Sequence, residues 1–134
     1  MATSTAESGL KAKTMSAMLT ANDLPQSIRF FEGLGFAVEE RWEHEGTLQG
    51  VMLRAGEASI ALGQDDWKKG RDRQKGVCMR IFISTTQNVD EIAARAKAAG
   101  IELDSDPADT DWGSRAFEVT EPSGFKITIA SHVA

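Results

Sequence analysis

From residue 111 to residue 130 the chain reads DWGSRAFEVTEPSGFKITIA, a pattern typical of two strands joined by a tight turn. The turn falls on residues 120–124, where Pro122 fixes its own φ and Gly124 can adopt a positive φ. On either side, apolar and polar residues alternate, as they do in strands with one buried face. The apolar positions are Phe117, Val119, Phe125, Ile127 and Ile129. This segment predicts a hairpin that lays one face on the core.

Length and composition limit the class of protein. The chain has 134 residues, which fits one compact domain or two small modules that share a core. The formal net charge of −5 argues against nucleic acid or an anionic membrane as the main partner. The single cysteine, Cys78, excludes an internal disulfide, and no apolar run reaches the roughly 20 residues of a membrane helix. Residues 1–13 are small and polar, which predicts a disordered extension rather than a signal peptide, and so a cytoplasmic protein.

Residues 14–62 have the pattern of one strand, a helix and three further strands. Asn22 and Asp23 offer an N-cap for the helix, and Pro25 fits its first turn, where a missing N–H costs little. Apolar residues at helical spacing give the helix a buried face, and Gly35 ends it. Alternating segments predict the strands, at residues 14–21, 36–44, 48–54 and 57–62.

Residues 63–76, GQDDWKKGRDRQKG, break this pattern with interleaved basic and acidic side chains and glycines. Such a composition is typical of a solvated linker between modules. Two other interpretations stay open. One is a mobile lid in which Trp67 closes over a pocket. The other is a basic nucleic-acid patch, which the interleaved acids disfavour.

Residues 77–130 repeat the order of the first module. Asn88 or Thr86 caps a second helix, which Gly100 ends. Because neither module can bury its sheet alone, the repeat predicts an α+β domain of two similar βαβββ modules. The other boundaries are strands at residues 77–84 and 101–103, a polar loop at residues 104–111, the hairpin, and a C-terminal tail at residues 131–134.

The order and spacing of these segments resemble the vicinal oxygen chelate superfamily, which includes glyoxalase I, bleomycin resistance proteins and extradiol dioxygenases. The resemblance covers residues 14–130. It implies a glyoxalase/bleomycin resistance fold, in which mixed sheets of paired βαβββ modules curl around a cleft for a small molecule, with modules often exchanged or arranged across a homodimer. The segments that carry it are NDLPQSIRFFEGLGF at residues 22–36, NVDEIAARAKAAGIEL at residues 88–103 and WGSRAFEVTEPSGFKITI at residues 112–129.

The resemblance also implies positions for a divalent metal, held in the family's enzymes by up to four His, Gln or Glu side chains. In this chain these positions fall on Ser16, Ala61, Cys78 and Thr128, with Arg80 in place of Cys78 if the register slips by one pleat. These side chains are not a normal ligand set for a catalytic divalent cation. The sequence therefore predicts no metal and no cofactor, and neither glyoxalase I nor dioxygenase chemistry. The two histidines, His44 and His132, lie elsewhere and are interpreted as surface residues.

Period-two alternation identifies the residues that face the cleft. Among them, Arg80 either pairs with Glu118 or binds an anionic group of a ligand, because an unpaired buried guanidinium is costly. Trp67 and Trp112 could form aromatic walls, and ordinary packing remains open for Trp112. Cys78 is either a nucleophile or a small apolar side chain. The predicted ligand-binding set is Ser16, Met18, Ala61, Cys78, Arg80, Phe82, Trp112, Glu118 and Thr128.

Two classes of function follow. The first is a metal-free binding module of the bleomycin-resistance type, which sequesters a small, partly aromatic or cationic drug or toxin in a dimeric cleft. The alternative is a metal-independent lyase or isomerase that uses Arg80, Glu118 or Cys78 for proton transfer. A metal enzyme with unforeseen ligands and a purely structural domain also stay open, because fold does not fix function.

Overall fold

The computed structural model describes residues 9–132, without the side chain of His132. Residues 1–8 of the predicted extension lie outside the described residues. The order βαβββ occurs twice, so the predicted α+β fold of two modules is confirmed. In this part of the chain, neither of the two helices is long and apolar enough to cross a membrane. The elements are β1 (Met18–Ala21), α1 (Leu24–Leu34), β2 (Ala37–His44), β3 (Thr47–Ala55), β4 (Ala58–Gln64), β5 (Arg80–Thr85), α2 (Val89–Ala98), β6 (Leu103–Asp109), β7 (Ser114–Thr120) and β8 (Lys126–His132).

Each module forms one four-stranded mixed sheet. Sheet A has the strand order β1-β4-β3-β2, and sheet B has the order β5-β8-β7-β6. β1 runs parallel to β4 and β5 runs parallel to β8, whereas the other neighbouring strands are antiparallel. β1 and β5 are therefore edge strands, and the two sheets do not join through them in the described part of the chain.

Helix α1 forms where the sequence predicts it. Asp23 is its N-cap, and the Asp23 carboxylate accepts a hydrogen bond from the backbone N–H of Gln26 at 3.1 Å. Gly35 ends the helix with a φ of 112°, a conformation that glycine adopts without strain. Leu24 and Phe31, on the apolar side of the helix, are buried in the core.

The two helices lie between the two sheets. α1 packs against β2, β3 and β4, α2 packs against β6, β7 and β8, and the helices contact each other. One hydrophobic core runs through these layers and includes Phe31 and Leu53 of the first module with Val89, Phe117 and Ile127 of the second. Each sheet therefore covers its helix with one face. The opposite face of each sheet is called its open face.

Polar contacts near the start of α1 join the modules. Ser27, on α1, donates its hydroxyl hydrogen to the carboxylate of Glu121 in the β7–β8 turn, and both side chains are buried. The backbone N–H of Asn22 donates to Ser123 Oγ at 2.9 Å. The turn that the sequence predicts at residues 120–124 is therefore also a joint between the two modules.

The linker between the modules is anchored to the rest of the protein. The carboxylate of Asp65 is buried and lies 2.8 Å from Lys75 Nζ and 3.3 Å from Arg73 Nη2. The cations of Lys75 and Arg71 lie 4.8 Å and 4.7 Å from the centre of the Trp67 ring. Because Trp67 is engaged by cations of its own segment, these contacts favour a structural linker over a lid.

The predicted start of β5 is wrong. The strand begins at Arg80 rather than at residue 77, because positive φ angles at Gly76 and Cys78 turn the chain before it. An added Cβ at Gly76 would lie 2.7 Å from the carbonyl oxygen of Gly124, so this turn also packs closely against the second module. Cys78 therefore precedes the strand in which the sequence places it.

The predicted polar loop at residues 104–111 and the short strand before it are also wrong. Most of this segment belongs to β6, an edge strand that pairs with β7 in an irregular register. Bulges and exposed polar side chains are common on edge strands, which explains a composition that resembles a loop. Other strand bounds also differ from the prediction. β1 begins only at Met18, whereas β3 reaches Ala55, β4 continues to Gln64 and β8 to His132.

Candidate functional site on the open faces

The open face of sheet A carries the first group of predicted site residues. Met18 on β1, Ala61 on β4 and Met52 on β3 are partners in one row across the sheet. Met18 is 62% exposed, whereas Ala61, between the two methionines, is buried. Ser16, just before β1, forms a hydrogen bond of 2.6 Å with Ser59. The predicted residues Ser16, Met18 and Ala61 therefore share one surface.

A second row on this face contains two glycines and a tryptophan. Thr20, Gly63, Gly50 and Trp42 are partners across β1, β4, β3 and β2. The indole of Trp42 lies on Gly50, because an added Cβ at Gly50 would come within 3.0 Å of Trp42 Cε3. Trp42 is half-buried and does not belong to the hydrophobic core. Its ring therefore lies on the open face of sheet A.

The open face of sheet B carries the charged part of the predicted site. Phe82 on β5, Thr128 on β8 and Glu118 on β7 are partners in one row. Arg80, one pleat away on β5, reaches this row with Nη1, which lies 3.1 Å from Glu118 Oε2 and 3.1 Å from Thr128 Oγ1. Of the two alternatives for Arg80, the ion pair with Glu118 is therefore present. Lys126, the partner of Arg80 across the strands, is exposed.

This arrangement can hold a molecule that combines oxygen atoms with an apolar part. The side chains of Arg80 and Glu118 are 45% and 42% exposed, so their ion pair adds little to stability. In the described contacts only Nη1 of Arg80 is engaged, which leaves its other N–H groups for oxygen atoms of a ligand. Phe82 is 52% exposed and supplies the neighbouring apolar surface.

Other residues singled out from the sequence lie away from these surfaces. Cys78 is exposed, with a φ of 60°. Trp112 is exposed in the turn between β6 and β7, at the end of sheet B opposite to Arg80. His44 has a side chain that is 77% exposed, as predicted for a surface residue. The side chain of His132 lies outside the described residues.

The two open faces belong to separate sheets. No hydrogen bond or ion pair between the described side chains joins one open face to the other: Ser16 bonds to Ser59 within sheet A, and Arg80 bonds to residues of sheet B. One chain therefore presents two separate surfaces rather than one enclosed cleft. The predicted site residues are brought together in two groups.

The side chains at the implied metal positions do not fit a divalent cation. Ala61 offers no donor atom, and the neutral hydroxyls of Ser16 and Thr128 are weak ligands. Cys78 precedes β5 and as a lone cysteine cannot make a site, and Arg80, the alternative at that position, is itself a cation. The Thr128 hydroxyl is already within hydrogen-bond distance of Arg80 and Glu118. Among the described side chains, which do not include His132, no three His, Cys, Asp or Glu residues form a group that could hold a metal ion.

A charge network outside the open faces fastens α2 to sheet B. Arg115, on β7, donates to Asp90 at 2.8 Å and 3.1 Å and to Asp109 at 3.1 Å. The guanidinium of Arg115 holds the pKa of the Asp90 carboxyl below its ordinary value, and the two carboxylates raise the pKa of Arg115. Because all three groups satisfy one another, this network is structural.

A groove of about 1140 Å³ lies at the seam between the modules, away from both open faces. It is bordered by the end of α1 and the β3–β4 turn on one side, and by the end of β5 and α2 on the other. Its charged side chains are Glu32, Glu57 and Arg95, and none of them is paired with another across it in the described contacts. None of the residues predicted from the sequence to bind a ligand lines this groove, so the open faces remain the candidate site.

Comparison with known proteins decides the family. The chain matches the family model of the Glyoxalase/Bleomycin resistance protein/Dioxygenase superfamily over residues 14–129. The chain belongs to this superfamily. The resemblance that the sequence carries is therefore confirmed. No curated protein matches the chain in sequence.

Solved structures share the superfamily fold over almost the whole chain. TioX from Micromonospora sp. ML1 is 21% identical, with 91% of this chain and 100% of that chain covered and a TM-score of 0.73. A Glyoxalase/bleomycin resistance protein/dioxygenase superfamily member from Sphaerobacter thermophilus is 22% identical, with 91% and 98% covered and a TM-score of 0.71. The hypothetical protein SA1046 from S. aureus is 17% identical, with 90% and 95% covered and a TM-score of 0.70. Likeness at these identities shows the fold alone.

Trp42, Gly50 and Met52 belong to the candidate site but were not predicted from the sequence. For Met52 a signal existed, because it alternates with the buried residues Val51 and Leu53 and so must point to the other face of β3. The position of Trp42 depends on a register shift between β2 and β3, which alternation within a single strand does not reveal.

Proposed function

We propose that this protein binds a small molecule on the open faces of its sheets and holds it without changing it chemically. The observation that carries the proposal is the set of side chains at the superfamily's metal positions. Ser16, Ala61 and Thr128, together with Cys78 or Arg80, provide hydroxyl groups, a methyl group and one thiol or guanidinium instead of a set of metal ligands. Such a surface suits sequestration of a drug or toxin, which needs binding and no reaction.

A homodimer would complete this site. Met18 on one open face and Phe82 on the other are large apolar side chains, 62% and 52% exposed. Exposed apolar surface of this kind often marks an interface or a ligand site. In a two-fold dimer, sheet A of each chain could face sheet B of its partner, so that two identical clefts form.

Sedimentation equilibrium tests the dimer. The wild-type protein is expected to dimerise, and Met18→Glu and Phe82→Glu are expected to shift the population towards monomer, because each replaces an exposed apolar side chain of the interface with a charged one. Gln87→Glu, an exposed change outside both faces, is the matched control. A wild-type protein that stays monomeric at every concentration would contradict the dimer.

Ligand-induced thermal stabilisation tests the binding function. Compounds that bind the folded state raise the melting temperature by mass action, whether or not a reaction follows. The screen includes bleomycin-type glycopeptides, glutathione adducts and small aromatic compounds, followed by mass spectrometry of the recovered compound. A ligand recovered unchanged supports sequestration. Stabilisation by divalent metals that EDTA reverses, or conversion of the ligand, contradicts it.

The geometry around Arg80 favours a second candidate, a metal-independent isomerase or lyase. Glu118 lies beside Arg80, so its carboxylate could move a proton while the guanidinium stabilises negative charge on the substrate. If the screen finds a compound that is converted, the rate of its conversion is measured in the wild type and in two variants. Glu118→Gln is expected to abolish the reaction, whereas Cys78→Ser leaves it intact because Cys78 lies outside β5.

A further inference from the structure

The row of Thr20, Gly63, Gly50 and Trp42 contains two glycines that face each other in the middle of sheet A. They are partners on β4 and β3, the two central strands. A glycine inside a strand is destabilising by roughly 0.5–1 kcal/mol relative to alanine. Such glycines often mark places where a ligand or another group approaches the backbone closely. A physical reason is therefore needed for glycine, rather than a residue with a side chain, at each of the two positions.

At residue 50, contacts within the protein explain why glycine is needed. An added Cβ at this position would lie 2.7 Å from the carbonyl oxygen of Leu62 and 3.0 Å from Trp42 Cε3. Both distances are shorter than ordinary contacts, so even alanine would push the backbone or the indole away. Gly50 is what lets the ring of Trp42 lie against the sheet.

At residue 63, no contact with the described residues explains why glycine is needed. An added Cβ would lie 3.6 Å from Met18 Sδ and 3.9 Å from the carbonyl oxygen of Gln49, which are ordinary van der Waals distances. Its φ also lies outside the left-handed region that favours glycine. Alanine would therefore fit at residue 63, and the absence of a side chain leaves a depression in the open face.

The walls of this depression are apolar and polarisable. The indole of Trp42 lies on one side, over the neighbouring strand, and the thioether of Met18 lies on the other. Ala61 and Met52 form the next row along the strands. Residues on the same face of a strand are about 7 Å apart, which is close to the breadth of one aromatic ring. Aromatic rings and thioethers interact favourably with a further ring, beyond the area that they bury.

We propose that the depression over Gly63 binds a planar aromatic ring of the ligand, in contact with Trp42 and Met18. The inference rests on the proposed function and narrows the ligand to compounds that carry such a ring. A flat ring can approach the backbone at Gly63 more closely than any side chain at that position would allow. The ring's remaining substituents extend towards the other rows of the open face.

The experiment uses 2-naphthoate as the probe and its saturated analogue, decahydro-2-naphthoate, as the comparison. The three tryptophans give three indole N–H signals in a ¹H–¹⁵N spectrum, assigned with single Trp→Phe variants. The signal of Trp42 is expected to shift with 2-naphthoate, while those of Trp67 and Trp112 stay in place. The saturated analogue is expected to bind about two- to tenfold more weakly by calorimetry, because it lacks the aromatic interaction.

Gly63→Val fills the depression and is expected to weaken 2-naphthoate binding about tenfold or more. Valine is favoured in strands, so the variant is expected to fold, which its melting temperature checks. Ala58→Val places a valine at an exposed site on the same strand and is expected to bind like the wild type.

Three results would overturn the inference. The first is that the saturated analogue binds as tightly as 2-naphthoate. The second is that Gly63→Val binds 2-naphthoate as tightly as the wild type. The third is that Gly63→Val changes dimerisation while 2-naphthoate does not shift the signal of Trp42. The last would mean that a second copy of the chain covers this face. If only compounds without a ring bind, and Gly63→Val leaves them unaffected, the binding function stands and the aromatic class falls. If no compound of any class stabilises the protein, the binding function itself falls.

Discussion

Ser27 on α1 donates its hydroxyl hydrogen to Glu121 in the β7–β8 turn, and this contact ties the helix of one module to the last hairpin of the other. Both side chains are buried, and Glu121 Oε1 also accepts from the backbone N–H of Ser123 at 2.7 Å. A buried carboxylate is tolerated only while hydrogen-bond donors surround it. The joint between the modules is therefore polar, although most of the core around it is apolar.

Ser27→Ala is expected to lower the free energy of unfolding by about 1–3 kcal/mol, because it leaves a buried carboxylate oxygen without its donor. Urea unfolding measures the difference. Ser84→Ala is the matched control, since Ser84 is exposed on β5 and is expected to change stability by less than about 0.5 kcal/mol. Equal stabilities of the two variants would show that the Ser27 hydroxyl does not support the joint.

Gly50 and Gly63 are expected to respond in opposite ways to alanine. Gly50→Ala brings a methyl group against the carbonyl oxygen of Leu62 and the ring of Trp42, so a loss of about 1–3 kcal/mol is expected. Gly63→Ala meets no close contact and is expected to be neutral or to stabilise by up to about 1 kcal/mol. Thermal unfolding of both variants measures this, and a greater loss for Gly63→Ala would refute the packing described here.

The fold was predictable because its signals are local. Asp23 caps α1, Asn88 caps α2 and Gly35 ends the first helix, and each does so through contacts with residues close to it in sequence. Local signals do not show how the elements are grouped. The internal repeat predicted this, because it gives both modules the same order of strands and helix. β6 was missed because an irregular edge strand with polar side chains has the composition of a loop.

The site was predictable only in part. Alternation assigned Met18 and Thr128 to open faces correctly, because the two sides of a strand follow from its own sequence. Trp42 was not predictable in this way. The β2–β3 turn pairs His44 with Thr47, and continuing that register would place Trp42 opposite Gln49. The register shift after Trp42 moves it opposite Gly50 instead.

The anchored linker is expected to resist proteolysis. Lys68 and Lys69 are exposed, and trypsin cleaves after lysine. The ion pairs of Asp65 with Arg73 and Lys75 fix the linker on both sides of these lysines, which restricts the local unfolding that cleavage needs. Asp65→Asn weakens both ion pairs, so cleavage in the linker is expected to be several times faster than in the wild type.

Cleavage is followed by mass spectrometry at short digestion times, with Asp66→Asn as the control. Asp66 is exposed next to Asp65, and its ion pair with Lys68, at 3.9 Å, lies in solvent. Cleavage at the same rate in all three proteins would mean that Asp65 does not restrain the linker.

The same carboxylate predicts a pH dependence. The hydrogen bond from Lys75, helped by the backbone N–H of Trp67, lowers the pKa of Asp65 from 3.8 to about 2. Asp65 therefore binds a proton more tightly in the unfolded chain than in the folded one. Its contribution to stability is complete above about pH 4 and is lost as the pH falls from about 4 towards 2.

Asp65→Asn removes this titration, so the variant is expected to be less stable than the wild type at pH 7 and to approach it as the pH falls below about 4. Urea unfolding between pH 7 and pH 2 measures both curves. Asp90 also loses its pairing with Arg115 in acid, and its contribution is common to both proteins, so the difference between the curves isolates Asp65. A constant difference across this range would show that the buried carboxylate does not titrate with folding, and that Lys75 holds the linker by packing rather than by charge.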